Sequence, residues 1–326
     1  MTVVRWGILS TADIARTQLI PAFKRAKNAQ VLAISSESGK ASETARNFDI
    51  PKSYDRYDEL LKDPELDAIY IPLPNHLHQE WAIKAAEQGK HVLCEKPAAL
   101  NTEEAKTIGI AVRKNGVKFM EGFMYQFHPQ HQRVRDIIAS GEIGEVKFMR
   151  ATFSFYLEQT ENIRMDKNKG GGSIYDIGCY CLHAIRNMLG SEIASVDVNS
   201  QLDLDTGVDF SAIGNVTLEN GVRAVFDCSI EMAFRQEYEI VGTKGRIIVP
   251  RAFRPDLHGG EGLIIVQKEN EERMERLLGD IYALEVEHFS QSIIDDREPL
   301  NTIENTINNM VAIDECYHSI SNKNRS

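Results

Sequence analysis

A chain of 326 residues with 42% hydrophobic content is long enough for two domains, each with its own core, which excludes a small disulfide-stapled scaffold. Its 37 Lys plus Arg against 48 Asp plus Glu leave a formal charge of −11, which repels a phosphate backbone and excludes a general nucleic-acid binder. No 18 uncharged apolar residues run together, and Arg5, Asp13, Arg16 and Lys24 interrupt every candidate signal-peptide core, so a soluble, cytoplasmic protein is expected. Cys94, Cys179, Cys181, Cys228 and Cys316 are scattered, without the C-x-x-C spacing of a zinc site, and are expected to be reduced and mostly buried, with no metal.

Up to about residue 120, short apolar runs alternate with helix-length amphipathic stretches, the pattern of parallel strands joined by crossover helices. Val3 to Leu9 reads as a strand and Ala12 to Ala26 as a helix, bent at Pro21. Gln30 to Ser35, Ala68 to Ile71, His91 to Cys94 and Val117 to Met120 read as further strands, separated by segments such as His76 to Gln88 and Thr102 to Lys114. The prediction is an α/β doubly wound parallel sheet over 1–122, followed by an α+β domain over 123–326.

In that second domain, Val222, Ala224, Phe226, Cys228 and Ile230 alternate with polar residues, as in a strand with one buried face. Residues 147–156, 193–202, 208–218, 222–231 and 236–249 predict a largely antiparallel open sheet, with helices near 129–139 and 174–189. Segments 158–172 and 251–262 read as loops. Ile303, Ile307, Met310, Ile313 and Tyr317 predict a C-terminal helix docked on a core and able to pack back on the first domain.

The turn after the first strand, Ser10, Thr11, Ala12, Asp13, Ile14, stands where a G-x-G-x-x-G fingerprint would bind a dinucleotide, but all three glycines are absent. Small residues at Ser10, Ala12 and Ala15 would still admit a pyrophosphate at the helix N-terminus. Ser36 and Glu37, at the end of the second strand, stand where a side chain grips the adenosine ribose. A carboxylate there opposes a 2′-phosphate and favours NAD over NADP, while a solvated loop glutamate is the plainer alternative.

Pro72, Leu73, Asn75 and His78 follow the strand ending at Ile71, at the edge where such sheets bind ligands. The spacing of His76 and His78, without Cys or carboxylate neighbours, favours a structural or cofactor-side role over a metal site. Glu95 and Lys96 emerge from the next strand toward the same crevice. A lysine held there, paired with Glu95, would stabilise an alkoxide or acidify a neighbouring hydroxyl; a surface lysine is the alternative. Asp176 and Tyr180, four apart after Gly170-Gly171-Gly172, project from one helix face. Tyr180 becomes a useful base near neutral pH when a cation favours its ionised form, while core packing with Asp176 as a cap is the other reading. A short-chain dehydrogenase is excluded, because no Tyr has Lys four residues on.

Taken together, Trp6-Gly7-Ile8-Leu9-Ser10-Thr11-Ala12, Pro74-Asn75, Gly89 through Glu95-Lys96-Pro97, and Asp176-Ile177-Gly178-Cys179-Tyr180 resemble the Gfo/Idh/MocA oxidoreductase family over nearly the whole chain. Glu121 to Gln130 is similar to the second-domain opening of the branch with dihydrodiol dehydrogenase, glucose-fructose oxidoreductase and xylose dehydrogenase. The resemblance implies that Lys96 is the catalytic lysine, Asp176 the carboxylate of a D-x-G-x-H/Y element and Tyr180 the general acid/base. It implies hydride transfer between NAD or NADP and a secondary alcohol or hemiacetal of a sugar, polyol or trans-dihydrodiol. Homodimers or homotetramers through the second sheet are also implied, with neither nucleic acid nor membrane as a partner. Two residues depart from the branch: Gln126 and Glu37 stand where Arg is frequent, the latter in NADP users. A non-catalytic NAD(P) sensor of the same fold is the rival, and retention of Lys96, Asp176 and Tyr180 argues against it.

Overall fold

Apolar residues dominate the short strands of the first half because both faces of the sheet they form are covered. Ala68, Ile69, Tyr70 and Ile71 in succession are at most 1% exposed. The computed structural model describes residues 2–158 and 162–323, in two compact units. One runs to Met124 and resumes over Tyr282–Ile307, and the other covers Tyr125–Ile281 and resumes at Asn308.

In the first unit, β1 (Val4–Leu9) leads into a π-helical turn (Ala15–Leu19) and α1 (Ile20–Arg25). Then follow β2 (Ala29–Ser35), α2 (Ala41–Phe48), β3 (Lys52–Tyr54), α3 (Tyr57–Leu61), β4 (Ala68–Ile71), α4 (His78–Glu87), β5 (His91–Glu95), α5 (Thr102–Asn115) and β6 (Phe119–Gly122). The strand order is β3-β2-β1-β4-β5-β6, every pair parallel. The winding direction therefore reverses between β1 and β4, where such sheets open a ligand crevice at their carboxyl ends. The α-helix expected over 12–26 starts with a wider turn. Pro21 has no N–H to give the carbonyl of Thr17 and its ring crowds that carbonyl, so Ile20 N bonds to Ala15 O instead.

The second unit opens with α6 (Pro129–Ala139) and β7 (Val146–Tyr156). Of the segment 158–172 expected as a loop, 159–161 lie outside the described residues, and the rest holds two 3₁₀ turns, Ile163–Met165 and Lys167–Lys169. A π turn (Ile174–Gly178) runs into α7 (Cys179–Leu189). The remaining strands are β8 (Ile193–Leu202), β9 (Asp209–Leu218), β10 (Arg223–Ser229), β11 (Glu231–Gly242), β12 (Gly245–Val249), β13 (Glu261–Lys268) and β14 (Glu271–Leu278). They form an eight-stranded sheet ordered β14-β13-β12-β11-β7-β10-β9-β8, antiparallel except for the pair β7 and β10. The strand expected over 236–249 is two, because Thr243 N and Lys244 N turn the chain onto the carbonyls of Glu145 and Ile143, at 3.0 and 2.9 Å.

The chain continues with α8 (Ile281–Ile294) and α9 (Ile303–Lys323). Within the first unit, α8 covers the sheet over Trp6, whose Nε1 donates to Ser290 Oγ at 3.2 Å and whose ring lies 5.8 Å from that of Phe289. The five cysteines are buried and unbridged. Among the described residues no helix is long and apolar enough to cross a membrane.

Candidate active site

In the first unit the turn after β1 reaches the geometry of the fingerprint without glycine. Ser10 stands at φ +105°, a region that favours glycine. Its N–H donates to Ser35 O at 2.9 Å, and its hydroxyl accepts from Ala12 N at 3.1 Å, which holds the turn closed. Thr11 Oγ1 lies 3.4 Å from Ser36 Oγ, and Ser36 Oγ lies 2.9 Å from Ser38 Oγ, so the ends of β1 and β2 are joined by hydroxyls. Asp13 is ion-paired with Arg16, Ile14 continues the opening turn and Glu37 is exposed. Small side chains and a helical run opening directly after the strand leave room there for a dinucleotide phosphate group, which Ser10 to Ile14 would hold. Sequence reasoning missed Tyr57. Burial raises its pKa, the Glu37 carboxylate raises it further, and the Ser10 hydroxyl and Glu37 main chain oppose them, so this phenol lies beside both.

The loops after β4 and β5 are tied by His78. Its ring is 0% exposed, with Nδ1 2.8 Å from Pro97 O and Nε2 2.7 Å from Leu73 O. For His78, expected in a structural or cofactor-side role, both ring nitrogens face main-chain carbonyls. Pro72 and Leu73 are buried, and Asn75 is partly exposed on the short turn before α4. Lys96 is partly exposed at the end of β5, and the chain beyond it is fixed on two sides: Pro97 by His78, and Ala98 N by Glu121 Oε1 at 2.9 Å. Glu95 accepts from the Tyr70 hydroxyl at 2.6 Å, and its pKa is raised by burial, against the pull of Tyr70 and Lys96. Nearby Glu285 is 2% exposed and pushed well above the ordinary carboxyl range by burial and by Glu95.

In the second unit, Asp176 lies in the π turn and Tyr180 at the start of α7. A single wide turn of this kind often marks a functional position in a helix. Tyr180 is 4% exposed, its ring 5.8 Å from Tyr125, 5.4 Å from Phe153 and 5.6 Å from Phe253. Asp176 Oδ2 accepts from Arg164 Nε at 2.6 Å. Sequence reasoning missed Arg164 because it sits in a polar stretch without periodicity. Gln126 is 6% exposed and its amide nitrogen lacks a hydrogen-bond partner among the described residues. Lys96 belongs to one unit, and Asp176 and Tyr180 to the other. Among the described residues no three His, Cys, Asp or Glu side chains gather as a metal site.

A parallel sheet in this strand order, with a tight small-residue turn after β1 and a second unit built on an open sheet, defines a two-part NAD(P)-dependent oxidoreductase. Comparison with known proteins agrees: residues 4–123 match the oxidoreductase family with an NAD-binding Rossmann fold, and residues 131–248 match the GFO/IDH/MocA C-terminal domain. The chain belongs to the GFO/IDH/MocA oxidoreductase family. It is 34% identical to D-xylose 1-dehydrogenase (NADP(+)) 2 of Haloferax volcanii, with 96% of each chain covered. It is 32% identical to trans-1,2-dihydrobenzene-1,2-diol dehydrogenase of Xenopus tropicalis, covering 81% of this chain and 79% of that one. The solved structure of KijD10, a 3-ketoreductase from Actinomadura kijaniata in complex with NADP and TDP-benzene, superposes with a TM-score of 0.92 at 28% identity, covering 98% of both chains. These relatives are dehydrogenases and reductases, which supports the catalytic reading over the sensor.

Proposed function

We propose that the protein oxidises or reduces a CH–OH group of a sugar, polyol or trans-dihydrodiol with NAD or NADP, using Lys96, Asp176 and Tyr180. The first unit would bind the cofactor through Ser10 to Ile14, Ser36, Glu37, Pro72, Leu73, Asn75 and the Glu95-Lys96 segment. Residues from 123 onward would hold the substrate, with the Gln126 amide as one donor. The bound nicotinamide supplies the hydride acceptor or donor. Tyr180 takes the proton from the substrate hydroxyl during oxidation and returns it during reduction, and the Lys96 ammonium lowers the cost of the phenolate. Asp176 orients the polar groups around that proton.

The observation that carries the reading is the placement of Lys96, at the carboxyl end of β5 with the following residues held by His78 and Glu121. A second support is that the lysine and tyrosine altered in solved variants of KijD10 are separated along that chain by the same number of residues as Lys96 and Tyr180. Glu37, exposed at the end of β2, favours NAD. A cytoplasmic homodimer or homotetramer is part of the same reading, with Ile213, Met232, Phe234 and Met274 exposed on the strands of the second sheet as its apolar contacts.

Cofactor reduction and oxidation, followed by absorbance against a panel of aldoses, polyols, trans-dihydrodiols and a nucleotide-linked ketosugar, tests the proposal. Turnover of one sugar-like or dihydrodiol substrate is expected. No turnover with either cofactor across the panel overturns it.

A further inference from the structure

We propose that Arg164 is a positioning residue of the proton-transfer machinery, which neutralises Asp176 and so keeps the Tyr180 phenol easier to ionise. The inference rests on the reading of Tyr180 as the group that exchanges the substrate proton.

The guanidinium is built into place by its surroundings. Nε donates to Asp176 Oδ2 at 2.6 Å, Nη1 reaches Asn162 Oδ1 at 3.4 Å, and the guanidinium carbon lies 5.7 Å from the centre of the Phe155 ring. Its main chain is fixed as well: Asn162 Oδ1 accepts from Arg164 N at 3.1 Å, and Gly172 N donates to Arg164 O at 2.9 Å. A Cβ on Gly171 would lie 2.8 Å from the Arg164 carbonyl carbon, so these glycines let the two segments approach. Gly172 O in turn accepts from Asp176 N at 3.1 Å, so Arg164 and Asp176 are joined through backbone and side chain alike.

The electrostatic consequence follows from position. A bare Asp176 carboxylate four residues from Tyr180 would oppose a second negative charge on the phenol. Pairing with a guanidinium that cannot lose its proton removes that opposition. The Asp176 charge chiefly, and a Tyr180 phenolate after it, raise the Arg164 pKa, and the attraction acts equally in the other direction. The groups facing Tyr180 within its unit include Asp176 from the same helical run, Arg164 from the 163–165 turn, Tyr125 from the segment before α6, and the uncharged rings of Phe153 and Phe253.

A merely structural Arg164 and an electrostatic one differ in sign. In protein carrying 13Cζ-labelled tyrosine, the Tyr180 resonance is the one lost in Tyr180→Phe, and its titration is followed by NMR in Arg164→Gln, Arg164→Lys and Asp176→Asn. Arg164→Gln takes the guanidinium charge from Asp176 and should raise the phenol midpoint by about one pH unit, the size a nearby charge gives. Asp176→Asn leaves Arg164 unpaired and should lower it, while Arg164→Lys should stay near wild type. Should Arg164→Gln not fold, Arg164→Lys against Asp176→Asn carries the comparison, Lys keeping the charge but losing the directed Nε bond. Midpoints that do not move, or that move the same way in the Arg164→Gln and Asp176→Asn proteins, overturn the inference. Because the titration needs no substrate, opposite shifts in a protein that turns over nothing would uphold the coupling of Arg164 and Asp176 to the Tyr180 phenol while ending the functional proposal.

Discussion

His78 Nδ1 lies 2.8 Å from the carbonyl oxygen of Pro97, inside a ring environment that is 0% exposed. With Nε2 2.7 Å from Leu73 O, the imidazole fastens the loop after β5 to the loop after β4. Burial pushes its pKa down to about 4, against the two carbonyls, which favour a proton on each nitrogen. His78→Ala removes a buried ring and the one N–H that the neutral imidazole gives to a carbonyl, at a cost of about 3 kcal/mol. Because Lys96 precedes Pro97 directly, turnover should fall about tenfold even where the variant stays folded, a misplacement effect. Urea unfolding with steady-state kinetics checks both. Wild-type turnover in a destabilised variant would show that the tie serves stability alone.

Lys96→Met and Tyr180→Phe should lower kcat by about 10²- to 10⁴-fold, the range of a lost acid or base. Cofactor dissociation constants should stay within about an order of magnitude, because neither change removes the turn after β1. Stopped-flow turnover with fluorescence titration of NADH and NADPH separates the two quantities. Equal turnover in Lys96→Met would remove the lysine from the mechanism.

Acid should weaken the second unit through His131. Its ring is 0% exposed, with Nδ1 2.9 Å from Tyr238 Oη and Nε2 3.0 Å from Ala252 O. A neutral ring with hydrogen on Nε2 satisfies both contacts. Burial lowers its pKa from 6.5 to about 3, so between those values the unfolded chain binds the proton and the folded chain does not. Stability is therefore full above pH 6.5 and falls as pH drops toward 3, by about 2–3 kcal/mol from this group at pH 4.5. His131→Asn should be less stable at neutral pH but flatter below it. Urea midpoints measured from pH 7.5 to 4.5 decide, and parallel curves for the two proteins would refute the assignment.

Much of the first sheet was legible because a two-faced parallel sheet writes itself as apolar runs, as in Ala68 to Ile71. The short β3 and the strands β13 and β14 were not. In β14, charged residues such as Glu271, Glu272 and Arg273 fill both faces, and no period of two stands out. The Ser10 turn could be located from its place after β1, but its φ of +105° could not, since serine seldom takes that conformation. Partners brought in from distant segments escaped altogether. Arg164 lies in a stretch without a pattern, Tyr57 in a segment for which no element was expected, and Glu121 stands only as the first residue of the second-domain opening until its carboxylate is seen on Ala98 N.

Glu37 should set the cofactor choice. A carboxylate exposed at the end of β2 repels a 2′-phosphate, while buried Ser36 Oγ is engaged by Ser38 and Thr11. Glu37→Arg should shift the ratio of NADP to NAD affinity upward by about tenfold or more, because a charge-assisted hydrogen bond to the phosphate replaces a repulsion. Differential scanning fluorimetry with NAD, NADH, NADP and NADPH reads it through stabilisation on binding. An unchanged ratio would place the ribose elsewhere.

The helical run bearing Asp176 and Tyr180 begins on Asp209, a residue of β9 that is 1% exposed. Its Oδ2 accepts from Ser173 Oγ and from Ile174 N, both at 2.7 Å, and its Oδ1 accepts from the Tyr317 hydroxyl at 2.7 Å. Burial raises its pKa, against these donors. Gly172, at φ +117°, leaves room for the carboxylate, since a Cβ there would collide with it. Tyr317→Phe deletes one bond to a buried charged acceptor and should cost about 1.5–3 kcal/mol. Gly172→Ala, strained and clashing, should cost at least as much and lower kcat by displacing Tyr180. Since both changes act on one carboxylate, their combined cost with Asp209→Asn should fall short of the sum of the single costs. Additive unfolding energies, with kcat untouched in Gly172→Ala, would separate this buried acid from the placement of Asp176 and Tyr180.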